Sequence, residues 1–156
     1  MIAIRDLFES HLTVRDLDRA VRFYRDVLQL PVARMFLERR VAFFWIGAPG
    51  KAMLGLWETG SGPQQMVQHL AFRVEAGALF AAAEALRESG IVPLDIDAKP
   101  VDEPVILAWM PAAAIYFHDL DGNLLEFLAM LPEQPRPDLG VLPWSSWTQI
   151  TSSESS

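Results

Sequence analysis

The residues of this chain with the most capacity for chemistry are two histidines and a glutamate, each in a strand-like segment. His11 opens His11-Leu12-Thr13-Val14-Arg15, His69 opens His69-Leu70-Ala71-Phe72-Arg73, and Glu126 lies within Leu124-Leu125-Glu126-Phe127-Leu128. Strand side chains alternate between faces. If Leu12 and Val14 pack against helices, His11 and Thr13 point the other way. By the same rule Leu70, Phe72 and Val74 leave His69 opposite, and Leu125 and Phe127 leave Glu126 opposite. Two neutral imidazoles and one carboxylate suit a divalent ion such as Zn, Mn, Fe or Ni with coordination positions left open. An oxygen of a substrate or a water could be polarised there. A dication would also relieve the cost of an ionised Glu126 among leucines and phenylalanine. The spacing leaves a plainer reading open, in which the histidines are hydrogen-bonded core residues and the glutamate is solvated.

A repeat ties the two histidines together. Shifting the chain by 58 residues lays His11 on His69, Ala20 on Ala78 and Leu28 on Leu86. Both stretches have the same grammar, a short strand followed by a helix, and this points to two copies of one supersecondary unit. In the first copy Asp16 is a fitting N-cap. Leu17, Ala20, Val21, Tyr24, Val27 and Leu28 make one apolar helix face, and Pro31 lies beyond its end. In the second, Ala78, Leu79, Ala82, Ala83 and Leu86 form the face, and Gly90 is a good C′ residue. Strand patterns follow each helix: 32–37, 41–46 and 53–57 in the first copy, 94–98, 112–117 and 124–128 in the second. The turn Asp119–Asn123 joins the last two as a hairpin. The stretch 99–111 reads as an irregular connection with room for one short strand.

The fold expected is therefore α+β, two β-α-β-β-β modules (1–62 and 63–130) forming one domain over residues 1–130. Residues 131–156 carry Pro132, Pro135, Pro137 and Pro143 and a Ser-rich end. They read as an extended tail with no helix, with Trp144 and Trp147 docked on the domain or on a partner subunit.

Composition narrows the function. The 156 residues are half apolar (51%), enough for a packed core. With no cysteine, thiolate metal sites, disulfides and cysteine nucleophiles are excluded. A net charge of −7 without a basic stripe argues against a nucleic-acid partner. Most of the negative charge lies in 63–130, which disfavours strongly anionic substrates. No apolar run has the length of a membrane helix and no leader is apparent, so a cytoplasmic protein is expected.

These segments resemble the vicinal oxygen chelate superfamily, which includes glyoxalase I, bleomycin-resistance proteins, fosfomycin-resistance enzymes and extradiol dioxygenases. The resemblance is carried by His11 to Tyr24, by His69-Leu70-Ala71-Phe72, and by Tyr116 to Phe127, whose Asp119-Leu120-Asp121-Gly122-Asn123 turn precedes Glu126. It covers about residues 6–130. It implies modules whose curled mixed sheets form a metal-binding cup, a homodimer, and His11, His69 and Glu126 as metal ligands. Glyoxalase I-like members supply a fourth ligand where this chain has Gly55, with Glu58 nearby on the opposite strand parity. Dioxygenase-like members place a tyrosine where Tyr116 stands, a candidate hydrogen-bond donor or proton shuttle. Trp57 and Trp109 are candidate apolar walls for a small-molecule substrate. The leading reading is a metal-dependent lyase or isomerase of the glyoxalase type, stabilising an enolate or oxyanion. Alternatives are a non-haem iron dioxygenase and a non-enzymatic binder that sequesters a small molecule.

Overall fold

In the computed structural model, residues 7–62 and 67–154 are described. The expected module boundary borders residues 63–66, which lie outside them. The chain divides into two compact units, residues 1–68 with 119–123, and residues 69–118 with 124–156.

The first unit contains β1 (Glu9–Val14), α1 (Leu17–Arg22), β2 (Val32–Phe36), β3 (Val41–Ile46) and β4 (Ala52–Glu58). Its sheet has the order β1-β4-β3-β2, with β1 parallel to β4 and the other pairs antiparallel. Asp16 caps α1 as its sequence suggests, accepting a hydrogen bond from the Arg19 amide at 2.9 Å. The helix is shorter than its apolar periodicity predicts. After Arg22 it widens into a π-turn, Phe23–Val27, closed by the Leu28 amide on the Phe23 carbonyl. Phe23 and Tyr24, at the start of this wider turn, are both buried. Leu12, Val14, Leu17, Phe44, Leu54 and Leu56 complete this core.

The turn 119–123 belongs to this unit. Asp119 is buried and accepts from the Tyr24 hydroxyl and the Asn123 side-chain amide, both at 2.8 Å, while its other oxygen takes the Asp121 and Asn123 backbone amides. This Asx-type network does the work usually done by proline in a tight turn.

The second unit repeats the topology. It contains β5 (His69–Arg73), α2 (Leu79–Glu88), β6 (Val105–Leu107), β7 (Ala112–His118), β8 (Leu124–Met130), β9 (Val141–Pro143) and α3 (Trp144–Glu154). The sheet order is β5-β8-β7-β6-β9, with β5 parallel to β8. The two open mixed sheets with few helices are the α+β architecture that the repeat implies. Gly90, at φ 76, ends the α2 segment, with the Ile91 amide returning to the Leu86 carbonyl.

Two expectations are corrected here. The strand expected at 94–98 is reduced to isolated bridges from Leu94 to Pro100 and Tyr116, and the chain then turns through Ala98 at φ 61. Its pairing role passes to β6, inside the stretch first read as an irregular connection. The terminal segment is also not an extended tail. The last proline, Pro143, bars a helix only up to its own position. Beyond it α3 forms, its first turn capped by Glu103, which accepts from the Ser145 amide and hydroxyl at 2.9 and 2.8 Å. Trp147 is 2% exposed, and Trp144 meets Phe80 edge-on. Tertiary packing holds a helix that Ser and Thr propensities alone would not.

Candidate metal and substrate site

In the second unit, sheet register brings three of the singled-out residues together. β8 lies between β5 and β7. His69 pairs with Leu124, Glu126 with Ala71, and Tyr116 directly with Glu126. The His69 Nε2 is 3.1 Å from Glu126 Oε2, and the His69 and Tyr116 rings lie 6.1 Å apart and nearly parallel. Around them the face is apolar: Tyr116 packs in a cluster with Leu94, Val105, Leu107 and Ala114, flanked by Leu124 and Leu128.

Glu126 is 4% exposed, yet its Oε1 has no hydrogen-bond partner. A buried acceptor left unmade is costly, so this oxygen is suited to a cation beside the imidazole. Tyr116 has the opposite character. Burial, and then the Glu126 charge, push its hydroxyl well above the usual tyrosine range, so it stays protonated and able to donate.

His11 stands in the first unit, opposite Gly55 on the neighbouring β4. A Cβ at Gly55 would come within 3.1 Å of the imidazole, so the glycine that cannot serve as a fourth ligand is what makes room for His11. The Trp57 indole N–H donates to His11 Nδ1 at 2.7 Å. An indole nitrogen only donates, so Nδ1 accepts and Nε2 carries the proton, facing Glu9 Oε1 at 2.5 Å. A cation at Nε2 would have to displace that proton and Glu9. His11 therefore joins a metal only by turning its ring or exchanging partners.

Glu58 lies on the other face of β4. It accepts from the Leu17 amide at 2.8 Å and from Arg40 at 2.6 Å, which hold its carboxyl below the usual range. Trp109 is 58% exposed in the turn after β6, and His118 is exposed at the end of β7. Among the described residues, no three His, Asp or Glu side chains gather as a metal would require. The second unit carries one imidazole–carboxylate pair, His69–Glu126, and the first carries another, His11–Glu9.

Glu9 is the residue missed in reading the sequence. Its signal was present: two positions before His11, it shares that residue's strand face. Two arginines were missed as well. Arg34 lies over the Phe36 ring at 4.7 Å, and Arg39 lies over the Trp57 ring at 5.2 Å.

The chain matches the model of the Glyoxalase/Bleomycin resistance protein/Dioxygenase superfamily over residues 6–127. A search of curated proteins finds no match. Among solved structures, an integron cassette protein from the mobile metagenome of the Halifax Harbour sewage outfall is 30% identical. Its alignment covers 81% of this chain and all of that one, with a TM-score of 0.68. A lactoylglutathione lyase from Agrobacterium tumefaciens is 20% identical (80% and 92% covered, TM-score 0.61). The fosfomycin resistance protein FosX from Listeria monocytogenes, solved with Mn(II) and sulfate, is also 20% identical (85% and 94% covered, TM-score 0.59).

Proposed function

Since this chain belongs to the Glyoxalase/Bleomycin resistance protein/Dioxygenase superfamily, we propose that it is a divalent-metal-dependent enzyme of the glyoxalase type, a lyase or isomerase acting on a small oxygen-chelating substrate. The observation that carries this reading is the buried, unpartnered Oε1 of Glu126 beside His69. His69 and Glu126 would hold the ion, and His11 would complete the set. His11 lies in the other unit. When bound, the ion supplies Lewis-acid polarisation of neighbouring substrate oxygens.

The remaining work falls to side chains of this protein. Glu126 brings the negative charge that the site needs and cannot neutralise internally. Tyr116, kept protonated, donates a hydrogen bond or a proton to a substrate oxygen on the same face. The apolar side chains around Tyr116 keep it buried. Trp57 and Trp109 offer apolar walls for the substrate, the first through its contact with His11. A non-haem iron dioxygenase is the second reading, favoured by Tyr116 pairing directly with Glu126.

Elemental analysis of protein purified without added metal tests the proposal. About one divalent ion per chain is expected, with loss in His69→Ala and Glu126→Gln. Native protein without metal, and unchanged in stability on chelation, would instead support a non-enzymatic binder. Catechol turnover on iron loading would favour the dioxygenase.

A further inference from the structure

The sheet of the first unit lines a cavity of about 400 Å³ with Glu9, Ala33, Arg34, Phe36, Phe43, Trp45 and Met53. Its size falls at the small end of the range for small-molecule sites. Phe36 and Phe43 meet edge-on at 6.1 Å, and Phe43 meets Trp57 in the same way. The walls are thus flat aromatic faces and edges with one flexible thioether, a surface that favours a planar apolar guest.

The charges are unequally satisfied. Glu9, the one carboxylate in the wall, is engaged by His11. Arg34 and Arg39 rest their guanidinium groups on Phe36, and Arg39 also on Trp57. Among the described residues neither arginine has a carboxylate partner or a hydrogen bond, although the protein carries an acidic excess. Of the two, Arg34 belongs to the cavity wall, held over the Phe36 face with its planar donor fork uncommitted.

We propose that this cavity binds an aromatic carboxylic acid. The ring slides between Phe43, Trp45 and Met53, and the carboxylate meets the fork of Arg34. The proposal concerns the first unit by itself and does not depend on the metal reading.

The test is calorimetric titration of full-length, chelator-treated protein with 2-naphthoate and with its neutral isostere 2-naphthamide. Saturable binding is expected, about tenfold tighter for the acid than for the amide. In an Arg34→Gln variant of unchanged melting temperature, the two probes bind alike. An Arg73→Gln variant, which removes as much charge elsewhere, keeps the preference. Equal affinities in the native protein, no saturable binding, or a preference lost equally in both variants overturns the proposal. Because the protein is chelator-treated, the titration and the elemental analysis read separate sites, and either reading can fail while the other stands.

Discussion

Glu126 bears an oxygen that is buried and has no partner, and its replacement has a definite sign. In metal-free protein the paired replacement His69→Leu, Glu126→Leu removes the unmet acceptor together with its bonded neighbour and is expected to stabilise the fold by about 1–3 kcal/mol. The same paired replacement abolishes any rise in melting temperature on adding Mn(II) or Zn(II). Thermal unfolding with and without metal checks both halves. The tyrosines give a pH test. The chain has two, Tyr24 and Tyr116, and burial raises both above the ordinary value of 10. A raised acid is protonated in the folded state after the unfolded chain has begun to lose its proton. Its stabilisation is therefore complete below about pH 10 and is lost as the pH climbs past that value. Tyrosinate absorbance is expected to appear only together with unfolding, and the alkaline limb is expected to flatten in Tyr24→Phe, Tyr116→Phe.

Strands and helices depend on a few tethers. Glu58 ties β4 to the start of α1 and, through Arg40, to Asp18. Its lowered carboxyl contributes stability above its ordinary value of 4.5, and that contribution is lost as the pH falls below it. Glu58→Gln is expected to cost about 1 kcal/mol at neutral pH, given its partial exposure, and to flatten the acid limb of a denaturation series. At the other end of the chain, β9 covers β6, which would otherwise be a sheet edge. Trp147→Ala is expected to cost about 3–5 kcal/mol and to make α3 an early site of proteolysis. Chemical denaturation and limited digestion read the two effects.

For the whole protein, the oligomeric state gives a further prediction. A homodimer is expected, with sedimentation giving twice the chain mass of 17.5 kDa. Mixing inactive His11→Ala and Glu126→Gln chains restores metal retention if sites are shared between copies, and leaves it absent if each copy builds its own. No helix of the described residues is long and apolar enough to cross a membrane.

The repeat was legible because both copies keep the alternation of apolar and polar positions that a two-faced strand demands. That pattern located His11, His69, Glu126 and Tyr116 on their faces and implied the α+β modules. It could not register the wider turn after Arg22, the helix after Pro143 or the collapse of the 94–98 strand. These depend on what a segment packs against: Phe23 and Tyr24 in one core, Trp147 and the Glu103 cap in the other, and an edge already taken by β6. The sequence also could not reveal how partners are shared. Imidazole tautomers and unpaired guanidiniums are set by neighbours a few ångströms away in space and many residues away in the chain. Trp57 donating to His11, Glu9 accepting from it, and Arg34 and Arg39 left over aromatic rings were therefore decided only when the sheets formed.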